Sequence, residues 1–270
     1  MTRIDAASLD ITYLDRLALG DTWLHRRDPR AKVLVTIVFT ISVVSFGKYQ
    51  VSALVPFVFF PALMMALGGI PLRIVARKAL FVLPFAAAIG IFNPFFDREI
   101  LVRLGPLAVS AGWVSCASII ARSLLTVSAA VLLVAVTGFP AVCWALERLG
   151  MPRTFAVQLL FLYRYIFVLV EEGRNASRAR ELRTVGKSSM GMATFGSLIG
   201  HLLLRTWERA ERVHMAMLAR GFNGEFHARR EFRFGAQDAL FLLGWSTIFI
   251  IMRHWNVSRI FGDLVTGFFR

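Results

Sequence analysis

Long apolar runs constrain this chain more than any other feature. They cover about residues 31–47, 51–70, 79–96, 107–139 and 236–252. A helix of about 20 residues crosses a ~30 Å hydrocarbon core, and fewer suffice when flanking side chains snorkel. Lipid offers no partner to backbone amides, so the spanning segments must close their hydrogen bonds internally. The 270 residues are 57% hydrophobic with a mean hydropathy of +0.62, more apolar than soluble domains of this size usually are. The expected fold is therefore all-α: a polytopic membrane protein with about five transmembrane helices. Pro84 and the Asn93-Pro94 pair predict a kink in the third run. The fourth run is too long for one perpendicular crossing, so it is tilted, broken or protruding. Its small residues Ser110, Ala111, Gly112, Ser115, Ala117 and Ser118 permit close helix packing.

Charge sets the orientation. The chain carries 31 Lys and Arg against 17 Asp and Glu, a net +14. In a soluble protein that balance would suggest nucleic acid. Beside five apolar runs it reads as loop charge obeying the positive-inside rule, and nucleic acid is not an expected partner. Arg73, Arg77 and Lys78 then face the cytoplasm, while the balanced stretch Asp97–Pro106 faces outward. The N-terminus has no long apolar h-region, so it reads as a cytoplasmic segment and not a signal peptide. Cys116 and Cys143 form no CxxC pair and suggest no disulfide framework. Three regions follow: 1–139, an N-terminal cytoplasmic segment with transmembrane helices 1–4; 140–235, a cytoplasmic helical region; and 236–270, the last transmembrane helix with its tail.

The middle region has its own pattern. Residues 140–150, PAVCWALERLG, read as a short amphipathic helix ended by Gly150 and Pro152. A long helix follows over about 152–185, apolar and aromatic in its first half and highly charged in its second. Another runs over about 193–219, with Phe195, Leu198, Leu202, Thr206, Ala210, Val213 and Met217 at helical spacing. Glu208 and Arg212 make an i,i+4 pair on it, and Gly221 stands where a C′ residue belongs.

The two long helices end alike. Ala179 precedes Arg183 by four residues, and Ala216 precedes Arg220 by four, with Ala219 and Gly221 flanking Arg220. Two readings stand side by side. A basic residue at a helix C-terminus is ordinary, because it complements the helix dipole. A small residue one turn before the Arg also clears surface for a partner groove to receive the guanidinium, a rigid fork suited to carboxylates and carbonyls.

Residues 181–188, ELRTVGKS, end like a phosphate-binding loop. A P-loop needs Gly five residues before its second Gly, and Glu181 occupies that position. Its carboxylate would repel phosphate, and no strand precedes it. The segment reads as the end of a helix near Gly186.

Residues Arg205–Phe222, RTWERAERVHMAMLARGF, resemble the signature of the transmembrane T component of energy-coupling factor (ECF) importers. Met151–Arg183 resembles the cobalt-type branch, CbiQ. The resemblance covers most of the chain in topology and about residues 140–222 in detail. It implies two Ala-Arg-Gly-type motifs at the ends of cytoplasmic coupling helices. Ala219-Arg220-Gly221 matches the motif intact. The first motif departs from it: framed by Ala179 it falls on Leu182-Arg183-Thr184, and an alternative frame uses Arg180. The resemblance further implies two CbiO-like ABC-type ATPase subunits, a CbiM-like substrate-binding membrane S component with or without a CbiN-like subunit, and a lipid-embedded place in a bacterial inner membrane. Each motif Arg would dock on one ATPase. The chain itself would be non-catalytic and would carry no cofactor, serving cobalt or, alternatively, nickel or a vitamin.

The remaining residues build no site of their own. His25, His201, His214, His227 and His254 make no HxH or HxxxH pair, and no convergent ligand set for a transition metal is visible. Arg122 lies within the fourth apolar run, where an arginine is costly and is usually paired or functional. An internal structural pair is the favoured expectation. A stand-alone carrier should show several intramembrane ionisable residues, inverted repeats or paired broken helices, and the chain offers only Arg122 and one proline-interrupted run.

Overall fold

The structure, a computed structural model, describes residues 15–96, 100–104, 107–183, 192–222 and 234–254. Two compact units divide them: residues 15–142 with 234–254, and residues 143–222. The first is helical apart from one hairpin. Its α1 spans Pro29–Val44, α2 Phe59–Gly68, α3 Leu72–Gly90, α4 Ala111–Thr137 and α8 Ala236–His254. A 3-10 stretch, Ser52–Val58, runs straight into α2.

Helix α1 starts where its sequence says it should. Asp28 is the N-cap and its Oδ1 accepts from the Arg30 amide at 2.8 Å, with Pro29 at the first helical position. The hydroxyls of Thr36, Thr40 and Ser42 bond back to carbonyls four residues earlier, at 2.8–2.9 Å, so polar side chains sit in an apolar helix without an orphaned donor. An aromatic cluster joins α1, the 3-10 stretch, α2 and α8. Phe39 lies 4.6 Å from Phe60 and 5.4 Å from Phe249 between ring centroids, and Phe60 lies 4.9 Å from Trp245. Helix association in lipid gains little from hydrophobic transfer, so interdigitated rings supply the dispersion contacts that hold this bundle.

Helices α3 and α4 pack closely, as the small residues of the fourth run predict. Ala111, Gly112, Ser115 and Ser118 are buried, while Ala117 is exposed. A Cβ on Gly112 would lie 2.3 Å from Cα of Pro94, so only glycine fits. Asn93 donates to the Ser115 hydroxyl at 2.9 Å.

Three findings correct the expected boundaries. The third run is not one helix: α3 continues through Pro84, stops at Gly90, and a separate turn forms over Asn93–Phe96. The fourth run is broken at both ends. Its first residues form a strand, β2 (Leu107–Ser110), paired antiparallel with β1 (Ile100–Leu104), Leu104 opposite Leu107 and Arg103 opposite Ala108. Ile100, Val102 and Val109 are β-branched, which favours strand over helix where the helix has not begun. At the other end Gly138, at φ 80°, closes α4 and separates it from α5, Phe139–Arg148. The third correction concerns α6, Arg153–Arg183. Among the described residues, three helices are long and apolar enough to cross a membrane: α4, α8 and residues 153–179 of α6. The coupling helix of the sequence reading thus carries a membrane-grade apolar stretch of its own. Helix α1 (16 residues) and the 52–68 stretch are apolar but shorter.

One buried polar knot fixes the topology. Asp238, in the first turn of α8, accepts from the amides of Asp28 at 3.1 Å and Gly235 at 3.0 Å. Arg27 donates to Gln237 at 2.8 Å, lies 3.8 Å from Asp238 and covers the Trp23 ring at 4.2 Å. The starts of α1 and α8 are therefore side by side.

Candidate coupling site

The second unit contains most of α5 together with α6 and α7, Met192–Ala219. Helix α5 ends as its sequence predicts. Gly150, at φ 113°, takes the left-handed position, and the Met151 amide reaches the Leu146 carbonyl at 3.0 Å. Cys143 on α5 is buried, and burial pushes its thiol up to about 11, so it is an inert packing residue and not a nucleophile.

Helix α7 has one covered face. Leu198, Leu202, Thr206, Val213 and Met217 are half-buried, matching the predicted stripe, whereas Ala210 is exposed. Phe195 lies outside the residues whose side chains are described. The expected Glu208–Arg212 pair is present, exposed, at 3.7 Å. A second ion pair had no signal in the sequence: Arg209 of α7 donates to Glu172 of α6 at 3.1 Å. A Cβ added to Gly173 would meet Leu202 at 3.7 Å, so the two helices touch around this point.

From that contact both helices run the same distance to their arginines. The chain advances eleven residues from Glu172 to Arg183 and eleven from Arg209 to Arg220, about 16 Å each at 1.5 Å per residue. The tip of α7 is a Schellman cap. The Phe222 amide bonds to the Met217 carbonyl at 3.0 Å and the Gly221 amide to the Leu218 carbonyl at 3.0 Å, with Gly221 at φ 78°. Arg220 is thus the last residue before a left-handed turn, and Ala216, Ala219, Arg220 and Gly221 are all exposed. Met215 and Leu218, 62% and 50% exposed, leave apolar surface uncovered on the last turns of α7.

The tip of α6 carries Ala179, exposed, and Arg183 as its last helical residue. The side chains of Arg180, Glu181 and Arg183 lie outside the described residues, as do residues 184–191 with their P-loop-like letters. Each motif lies at the C-terminal end of its own helix, α6 or α7. Among the described residues no group of three or more His, Cys, Asp or Glu comes together, and His201 and His214 are exposed. His227 lies outside the described residues. Arg122 finds its internal partner, but it is the carbonyl of Gly47 and not a carboxylate.

The chain is an all-α polytopic membrane protein with two long helices, α6 and α7, each with an arginine at or directly after its last helical residue. The family model described as "Cobalt transport protein", CbiQ, matches residues 20–231, and the chain belongs to that family. It is 27% identical to the energy-coupling factor transporter transmembrane protein EcfT of Heliobacterium modesticaldum, over 92% of this chain and 98% of that one. It is also 27% identical to the cobalt transport protein CbiQ of Salmonella typhimurium, over 80% of this chain and all of that one. An uncharacterized protein of Methanocaldococcus jannaschii is 28% identical over 82% of this chain and 78% of its own length.

Proposed function

We propose that the chain is the scaffold and coupling subunit of an ECF-type importer, and that Arg183 and Arg220 are its contacts with the motor. The partners are two CbiO-like ATPases on the cytoplasmic side and a CbiM-like S component in the membrane, with or without a CbiN-like subunit. Cobalt is the favoured cargo, in keeping with the family description. Residues 1–139 and 236–270 anchor the subunit in a bacterial inner membrane with the N-terminus inside. Residues 140–235 form the coupling region.

The observation that carries this reading is the pair of equal arms. Each arginine stands eleven residues past the Glu172–Arg209 contact. Partner ATPases that approach one another on binding ATP would displace both tips by similar amounts about one contact. The surrounding helix then transmits the displacement toward the S component. The small residue one turn before each arginine, Ala179 or Ala216, leaves room for a groove edge. Arg180, on a neighbouring face of α6, is a candidate auxiliary contact. A guanidinium sequestered against partner carboxylates and then removed leaves uncompensated charge, costing about 3–5 kcal/mol in buried cases.

The test is affinity purification of the tagged chain from cells carrying its partners, followed by metal uptake. The double substitution Arg183→Glu with Arg220→Glu is expected to abolish ATPase recovery and uptake, leaving membrane insertion intact. Wild-type ATPase recovery and uptake from the double variant would refute the reading. Uptake of radioactive cobalt, competed by nickel, assigns the cargo.

A further inference from the structure

Between α1, α2 and α4 lies a cavity of about 10 Å³. Phe60 and Met64 of α2 and Leu132 of α4 give it apolar walls. Three of its lining residues are polar: Lys32 and Thr36 from α1, and Thr137 from the last turn of α4. Lys32 is 2% exposed, so its ammonium is one of the most deeply placed charges in the first unit. An ammonium has three N–H donors. Among the described residues Lys32 uses one of them, on the His25 carbonyl at a long 3.4 Å. The Asp28 and Asp238 carboxylates act on its charge through space. What the group lacks is therefore hydrogen-bond acceptors and not a counter-ion.

The facing helix has the complementary deficit. Thr137 Oγ1 is buried without a partner among the described residues. The Thr36 hydroxyl donates to the Lys32 carbonyl at 2.9 Å, and its oxygen is still able to accept. Buried polar atoms are nearly always paired, with protein or with ordered water. The species that completes this set must accept from an ammonium and donate to two hydroxyl oxygens. It must be neutral, because the charge is already opposed, and it must be very small. A halide accepts but does not donate, and a metal ion would be repelled by the ammonium. Water meets every requirement. One water needs roughly 10–15 Å³ and about two to four polar partners, whereas a wholly apolar cavity stays dry.

We propose that this cavity is a binding site for one ordered water, which accepts from Lys32 Nζ, donates to the Thr36 and Thr137 hydroxyls, and ties the start of α1 to the end of α4. The tie falls one residue before Gly138, where α4 gives way to α5. It is independent of the coupling motifs. A cryo-electron-microscopy map of the full-length chain in its complex, at a resolution that shows ordered water, tests it. The wild-type chain is expected to show one peak within hydrogen-bonding reach of Lys32 Nζ and Thr137 Oγ1. Thr137→Val, which keeps the shape and removes the hydroxyl, loses the peak, and Thr137→Ser retains it. Hydroxyl-radical labelling by X-ray pulses of the same complex gives a second readout. Radicals formed from the ordered water oxidise Met64, which lines the cavity and is buried. That oxidation is lost in Thr137→Val and kept in Thr137→Ser. A wild-type map without the peak overturns the proposal, as does a peak or a Met64 oxidation that survives Thr137→Val. So does a peak that grows when bromide replaces chloride in the buffer, which would make the cavity a halide site.

Discussion

The membrane unit and the coupling unit use similar residues to opposite ends. In the first, Phe39, Phe57 and Phe249 are at most 1% exposed, and Asp28 and Asp238 are buried in a polar knot. In the second, Trp207 is 73% and Leu203 67% exposed, and the cross-helix ion pair has Arg209 46% exposed. One region is closed upon itself and the other presents its surface outward. Substitutions in the membrane unit should therefore act on stability, and substitutions in the coupling unit on assembly and transport.

The largest effect on stability belongs to Asp238→Ala. It strips acceptors from the buried Asp28 amide and the part-buried Gly235 amide, and the partner charge from the buried Arg27. Loss of one member of such a cluster costs about 3 kcal/mol, and Tm in a thermal-shift assay should fall by roughly 5–10 °C. A variant as stable as wild type would mean that α1 and α8 are not fastened there. Gly221→Val comes next. A β-branched residue at φ 78° is strained by about 1–2 kcal/mol, so the Schellman cap of α7 should open. Tm should change little because Gly221 is exposed and a Cβ there meets nothing within 4 Å among the described residues, while recovery of the partner ATPase drops. Unchanged recovery would show that the geometry of the Arg220 tip is irrelevant.

Smaller still is Glu172→Gln. The pair with Arg209 is partly exposed and contributes at most about 1 kcal/mol. Its signature is selective: Tm holds, while transport per ATP hydrolysed falls because the two arms lose their shared contact. The charge-swapped pair Glu172→Arg with Arg209→Glu should recover part of that coupling. The smallest effect is that of pH on His25. Burial lowers its basicity, offset by its bond to the Leu17 carbonyl, with Lys32 opposing and Asp21 favouring the charged form. Its folded-state pKa lies below the unfolded value of 6.5, so the unfolded chain takes up more protons near and below that pH. Stability should rise as pH increases through this window. His25→Gln should flatten that part of a Tm-versus-pH curve, and an unaltered curve would refute the assignment.

Much of this architecture was legible because helices in lipid are local objects. The runs at 31–47 and 236–252 became α1 and α8, and Leu198, Leu202, Thr206, Val213 and Met217 of the stripe on α7 lie on its half-buried face, whereas Ala210 does not. Gly150 and Gly221 announced their caps, because a left-handed residue after a helix is a local requirement. What stayed hidden is non-local. Asp28 meets Asp238 across 210 positions, Arg122 meets Gly47 across 75, and Glu172 meets Arg209 across 37. No spacing rule encodes such pairs. The strand pair β1–β2 was missed for another reason: apolar Leu107–Ser110 continues smoothly into α4, and hydropathy alone does not distinguish a short apolar strand from the helix it precedes. The apolar half of α6 was visible in the sequence, and hydropathy alone does not say whether lipid or a partner covers it.

A cryo-electron-microscopy map of the assembled complex tests the central claim most directly. The account predicts the guanidinium groups of Arg183 and Arg220 each buried in a groove of a different ATPase subunit, within hydrogen-bonding distance of its carboxylates or carbonyls. Both arginines standing in solvent, with the ATPases bound elsewhere on the chain, would contradict it.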